Sequence, residues 1–196
     1  MSQLENINAR FAAQRPSQKM LRAVELLGDA QLTQRLAGLA LLRATPLEFG
    51  SEEQSAWREV VEDILCAFVR ARTGFLPGLA PPKLEADTQA ALTALGARLF
   101  DSSKPLDLHG ACLREVVWPG ARLRGAFLYD CDLEGAILIG ADLRGCWLWH
   151  AHLKRANLDG ADLRGADVSG ARGLLPEQLK SAIWDETTRW PLDLRL

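Results

Sequence analysis

An enzyme or a metalloprotein needs side chains that converge: a nucleophile beside a base, or several ligands around one ion. The chain has three histidines, His109, His150 and His152, and no carboxylate or cysteine clearly joins them. Its cysteines, Cys66, Cys112, Cys131 and Cys146, are scattered without a Cys-x-x-Cys pair. The simplest expectation is a reduced chain with no zinc site. Cys112 is expected to face outward, but no base stands near it in the sequence, so it reads as inert. No nucleophile motif, phosphate loop or spaced carboxylate pair occurs. The sequence therefore offers no catalytic, cofactor-binding or metal-binding residue, and the expectation is a protein that is not an enzyme. Large rings are the other candidates. Phe127 and Tyr129, then Trp147 and Trp149, form two pairs twenty residues apart. Exposed aromatics in a group suit contact with a partner.

The elements that position these rings follow from a five-residue period. Counting in fives from Leu108 gives Leu113, Trp118, Leu123 and onward to Leu163 and Val168, thirteen repeats in all. Two residues before each stands a small or apolar residue, most often alanine. Two residues after most stands glycine, as at Gly110, Gly120 and Gly125. A step of five turns an α-helix by about 140° net, so these leucines would spiral around it. Short extended segments fit better: residues two apart point the same way, so Ala and Leu face inward and glycine permits a corner. Four sides make a coil of twenty residues, and stacked coils form a solenoid.

Positions twenty apart then share a face. The first face carries Asp107 and His109, Phe127 and Tyr129, Trp147 and Trp149, then Asp167 and Ser169. The predicted partner-binding residues are Phe127, Tyr129, Trp147 and Trp149, flanked by His109 and His150. The N-terminal helices, a second copy or a foreign protein could cover this face. The third face, with Val117, Ile137 and Ile139, is mildly apolar and is expected to meet the helices edge-on. On the fourth face Arg124, Arg144 and Arg164 form a basic ladder, the secondary candidate. Interleaved Asp142 and Asp162 favour a solvated, self-paired reading of it.

This Ala-x-Leu-x-x pattern resembles the pentapeptide-repeat family over roughly residues 106–171. The resemblance implies a right-handed quadrilateral β-helix. The helical run before the repeats, LRAVELLGDAQLTQRLAGLALLRA with VVEDILCAFVRAR and TQAALTALGARL, is similar to the segment preceding the repeats in many bacterial members. Many of those also carry transmembrane helices, which this sequence lacks. Some members bind DNA gyrase by imitating duplex DNA, which needs a strongly acidic rod. Residues 105–172 hold nine Asp or Glu and eight Lys or Arg, a net of -1, so that mimicry is poorly supported.

The whole is expected to be α+β: residues 1–104 an α-helical domain of hairpins capping the solenoid, 105–172 the β-helix, 173–196 a C-terminal cap and tail. Met20, Val24 and Leu27 share a helical face, and Glu52 to Arg72 and about Glu85 to Leu99 read as further helices. Pro176 suits the first turn of a short helix, which with Trp184 is expected to cover the open end. Leu106, Val116 and Trp118 are oversized for a narrow coil, so the first coil should have extra room beside the helices. No run of about eighteen apolar residues occurs, and the N-terminus lacks a signal-peptide core. A net charge of -2 gives no general pull toward nucleic acid or membrane. The expected location is cytoplasmic. The functional expectation is an interaction scaffold that takes a protein partner or self-associates on the aromatic face. A gyrase-interacting protein and a ligand sensor using the helices are the alternatives.

Overall fold

The computed structural model describes residues 17–44, 51–74, 82–97 and 104–194, with the backbone alone for 51–56. The described residues hold four α-helices: α1 Gln18–Leu27, α2 Leu32–Ala44, α3 Ser51–Thr73 and α4 Ala86–Gly96. Ser17 caps α1, its hydroxyl accepting from the Met20 amide at 3.2 Å, and Gly28 ends it. Helix α1 turns its buried face, Met20, Ala23, Leu26 and Leu27, onto α2. Gly38 permits that approach, since a Cβ there would lie 2.7 Å from the Ala23 carbonyl oxygen. Helix α4 touches both α2 and α3, burying Ala91, Leu92 and Leu95. None of the described helices is long and apolar enough to cross a membrane.

A buried ion pair ties these helices together. Arg35 of α2 donates to Asp87 of α4, and the Asp87 side chain is wholly buried. Arg35 also donates to Glu85 at 3.0 Å and to the carbonyls of Asp29 and Ala30. Burial alone would raise the Asp87 carboxyl. The bonds from Arg35 and the Thr88 amide, with the Arg72 charge nearby, hold it below the ordinary carboxylate value.

From residue 106 the chain winds into a four-sided coil. Four columns of parallel bridges link residues twenty apart: 107–127–147–167, 112–132–152–172, 117–137–157 and 122–142–162. These are single-residue bridges, because each side is too short for a longer strand. The amide of an outward residue donates to the coil before it, as Phe127 does to Leu106. The amide of the next inward residue donates to the coil after it, as Leu128 does to Trp147. The inward positions from Leu106 to Val168 are all buried, forming one column of Ala, Cys, Leu and their substitutes. At each corner the carbonyl of the inward leucine, or of Trp118 or Val168 in its place, accepts from the amide three residues on, as Leu138 does from Ala141. The third residue of that turn has positive φ at every corner from 110 to 170, as a type II turn requires.

The helices meet the first coil. The Cys112 amide donates to the Thr73 carbonyl at the end of α3, and Gly74 bridges Ala111 in antiparallel fashion. The Arg122 amide donates to the Gly96 carbonyl at the end of α4. Trp118 lies buried against Gly96, so the oversized position is accommodated where the sequence suggests. The third face meets α4 at Val117, whose backbone exchanges two hydrogen bonds with the Gln89 amide group. The Val117 side chain itself stays exposed, as does Ile139 one coil further along that face.

The C-terminal segment departs from expectation. Pro176–Leu179 is a single 3-10 turn, and the end of the solenoid is covered by Leu174 and Leu179. Trp184 is 45% exposed and stands edge-on to Trp190 instead. The tail continues the coil: Ile183 bridges Asp162 and Arg189 bridges Asp167. Those offsets are 21 and 22 residues, so the added side carries no five-residue period to read.

Candidate interaction surface

The first face brings the predicted rings together. Each ring is carried by an extended side between two corners, so its height is fixed by the bridge column beneath it. His109, Tyr129 and Trp149 stack in a continuous pile. Ring centroids are 4.9 Å apart for the first pair and 5.0 Å for the second, with planes 11° and 9° from parallel. That spacing is close to the distance between coils, so the backbone itself sets the stack. Beside it, Phe127 meets Trp147 edge-on at 5.5 Å. His150 stands edge-on to Trp149 at 4.8 Å. Trp147 is 51% exposed, and Phe127, Tyr129 and Trp149 are half-buried. Burial raises the Tyr129 hydroxyl above its usual value, helped by the Asp107 charge, so it remains a neutral donor.

The wall is closed above and below by charges paired inside the chain. Arg70 of α3 donates to Asp107 at 2.9 Å, and the His109 Nδ1 is 2.6 Å from the same carboxylate. At the other end Asp167 accepts from the Ser169 hydroxyl and lies 3.4 Å from Arg189. Arg70 has no signal in the sequence, because its reach depends on how α3 docks.

The arginine ladder pairs with its own face. Arg144 donates twice to Asp142, at 2.8 and 2.7 Å, and Arg164 twice to Asp162, at 2.9 and 2.6 Å. The bond from Arg144 holds the Asp142 carboxyl below its ordinary value, and Arg164 does the same for Asp162. Arg124 is exposed and forms no such fork, because residue 122 is arginine.

His152, expected to stand apart from any carboxylate, meets two in the coil before it. Its Nδ1 lies 3.3 Å from Asp132 and 4.0 Å from Glu134. Asp132 is twenty residues earlier, so the register already carried the signal. The three ligand atoms fall within 4.8 Å of one another, a spacing a metal ion can span. Arg114, however, donates to both carboxylates, and Arg155 reaches Glu134 at 3.1 Å. The donor set is thus already neutralised by cations, and its geometry is that of an ion-pair network. Cys112, expected outward, is buried beneath the end of α3. All four cysteines are buried and free; burial pushes the Cys66 and Cys131 thiols up to about 12 and raises Cys112.

Comparison with known proteins gives this solenoid its family. The model for pentapeptide repeats matches eight copies, over residues 107–138 and 136–172. The pentapeptide repeat protein Rfr23 from the cyanobacterium Cyanothece 51142 is 35% identical, over 46% of this chain and 68% of its own. This chain belongs to the pentapeptide-repeat family. Pentapeptide repeats imply a right-handed quadrilateral β-helix, in keeping with the four bridge columns. The TM-score to Rfr23 is 0.39. The pentapeptide repeat protein alr5209 from Nostoc PCC 7120 is 29% identical over 47% of this chain and 79% of its own, with a TM-score of 0.27. QnrB1, a plasmid-mediated fluoroquinolone resistance protein, is 17% identical over 41% of this chain and 37% of its own, with a TM-score of 0.22. No curated protein matches the sequence.

Proposed function

We propose that this pentapeptide-repeat protein is a non-enzymatic scaffold whose first face docks a protein. One observation carries the reading: a two-coil aromatic wall, held rigid by stacking, with Trp147 half in solvent. Rings fixed by the backbone lose little conformational entropy on contact, which favours them as anchors. In this reading residues 1–104 act as a cap on the first coil, 105–172 present the wall, and 173–196 close the other end. The gyrase reading gains no support, since the repeats are nearly neutral and lack the acidic excess that imitation of duplex DNA needs. Replacing both Trp147 and Trp149 with glutamate should abolish capture of the partner by the immobilised chain, read by mass spectrometry of bound proteins. Circular dichroism should show the fold retained. Equal capture by the double variant would remove the wall from consideration.

A further inference from the structure

We infer that the aromatic wall takes a second copy of this chain, packed wall to wall about a twofold axis parallel to the solenoid axis. This rests on the reading of the wall as a protein-docking surface and names its occupant. The coil that carries Phe127 and Tyr129 also carries exposed charge of a single sign on each flank, with Arg122 beyond Arg124 on the first. Arg124 stands before the wall and Asp130 after it. Arg124 occupies the position that Arg144 and Arg164 hold in later coils, where an aspartate two residues earlier grips each guanidinium. With Arg122 in place of that aspartate, Arg124 has no such carboxylate, and among the described residues it forms no ion pair. Asp130 lies in the opposite corner with its side chain 54% exposed. Among the described residues the one basic side chain within reach is the His150 ring, at 3.5 Å.

The other charges bordering the wall are matched within the chain. Asp107 has Arg70, Asp167 has Arg189, and Arg144 has Asp142. The wall is therefore apolar in the middle, neutral at top and bottom, and of opposite sign on its two flanks in one coil. A twofold axis along the solenoid keeps every residue at its own height and exchanges left for right. It sets Arg124 of each copy against Asp130 of the other, and does so twice. It also sets Phe127 opposite Tyr129, and Trp147 opposite Trp149. A twofold axis across the solenoid would instead set Arg124 against Arg144. Charge complementarity thus selects one symmetry and one register. The whole first face is only about four coils high, roughly 20 Å, so the interface is small and the dimer dissociates readily.

Sedimentation equilibrium of the full chain, over roughly 1 to 200 µM, tests this. The wild type should approach twice the 21.5 kDa chain mass at the upper end. Arg124→Asp and Asp130→Arg should each weaken association by at least about tenfold, since each change spoils two contacts. An equimolar mixture of the two should associate again, because one copy then presents two acids and the other two cations. The double variant should associate with itself as the wild type does. Arg155 already stands in a comparable corner at φ 58°, so arginine at position 130 suits the backbone. A wild type that stays at single-chain mass overturns the inference, and so do single variants that associate normally or a mixture that fails to recover. If the wild type is monomeric while Trp147→Glu with Trp149→Glu still abolishes capture of another protein, the docking wall stands and its occupant is foreign. Association that survives both sets of changes lies elsewhere, for example at the exposed Ile183 and Trp184, and overturns this interface.

Discussion

Every corner of the solenoid asks one residue to adopt left-handed φ, and only nine of the thirteen corners from 110 to 170 answer with glycine. Glu115, Asp130, His150 and Arg155 do so at φ between 56° and 59°. A side chain in that region costs roughly 1–2 kcal/mol relative to the ordinary helical conformation. Three of the exceptions, Asp130, His150 and Arg155, have visible partners. Arg155 donates to buried Glu134, and His150 sits on Trp149 and near Asp130. Glycine elsewhere is thus a backbone requirement, and its removal can be separated from crowding. Gly140 has φ 64° and no heavy atom within 4 Å of an added Cβ. Gly140→Ala should cost about 1 kcal/mol in urea unfolding, from backbone strain alone, partly offset by a stiffer unfolded chain. At Gly170 the same change would also place a Cβ 2.7 Å from the His150 ring, so Gly170→Ala should cost more. Equal losses at both corners would mean that the His150 ring yields without cost.

Among the elements, the junction of α4 with the first coil shows what a sequence can and cannot announce. The five-residue period gave the stacking of 107, 127, 147 and 167 directly, because register alone decides it. The aromatic pile and the self-paired arginines follow from that register. The helices were legible as amphipathic stretches, but their docking was not, since it depends on the three-dimensional match of α3 and α4 to one end of the coil. Hence the burial of Cys112 under Thr73 and the reach of Arg70 had no linear signal. At the junction, Gly96 and Trp118 are fitted to each other: a Cβ on Gly96 would fall 2.0 Å from Trp118 Nε1. Gly96→Ala should therefore destabilise the chain by about 1–3 kcal/mol, the usual range for overpacking. Trp118→Leu alone should also cost stability by leaving a void. The pair together should cost less than the sum of the two, as residues in contact do. Additive losses in a urea double-mutant cycle would show that the two sites do not share this contact.

For the whole molecule the governing problem is that a stack of coils has two open ends. Each end presents unpaired backbone groups, a template for adding another chain. At the first coil the ends of α3 and α4 occupy those groups, through Thr73, Gly74 and Gly96. At the last coil the tail does so. Ser181 accepts from Gly160, Ile183 pairs with Ala161 and Leu163, and Arg189 pairs with Ala166 and Val168. The Thr188 hydroxyl donates to the Leu163 carbonyl as well. Leu174 and Leu179 cover the apolar column, while Gln178 donates to the Leu153 and Ala156 carbonyls. Covering the column and pairing the edge are thus assigned to different parts of the tail. A chain ending after Leu179 keeps the cover and loses the edge pairing. It should retain the circular dichroism of the repeats yet form assemblies larger than the wild type in light scattering, increasingly so with concentration. Thr188→Val removes both bonds of the hydroxyl, to the Leu163 carbonyl and from the Asp185 amide, and leaves the Ile183 and Arg189 pairings in place, so it should scatter like the wild type. A truncated chain with wild-type mass at every concentration would show that the last coil needs no partner for its edge. Unfolding of the repeats on truncation would show that the tail serves stability before it serves solubility.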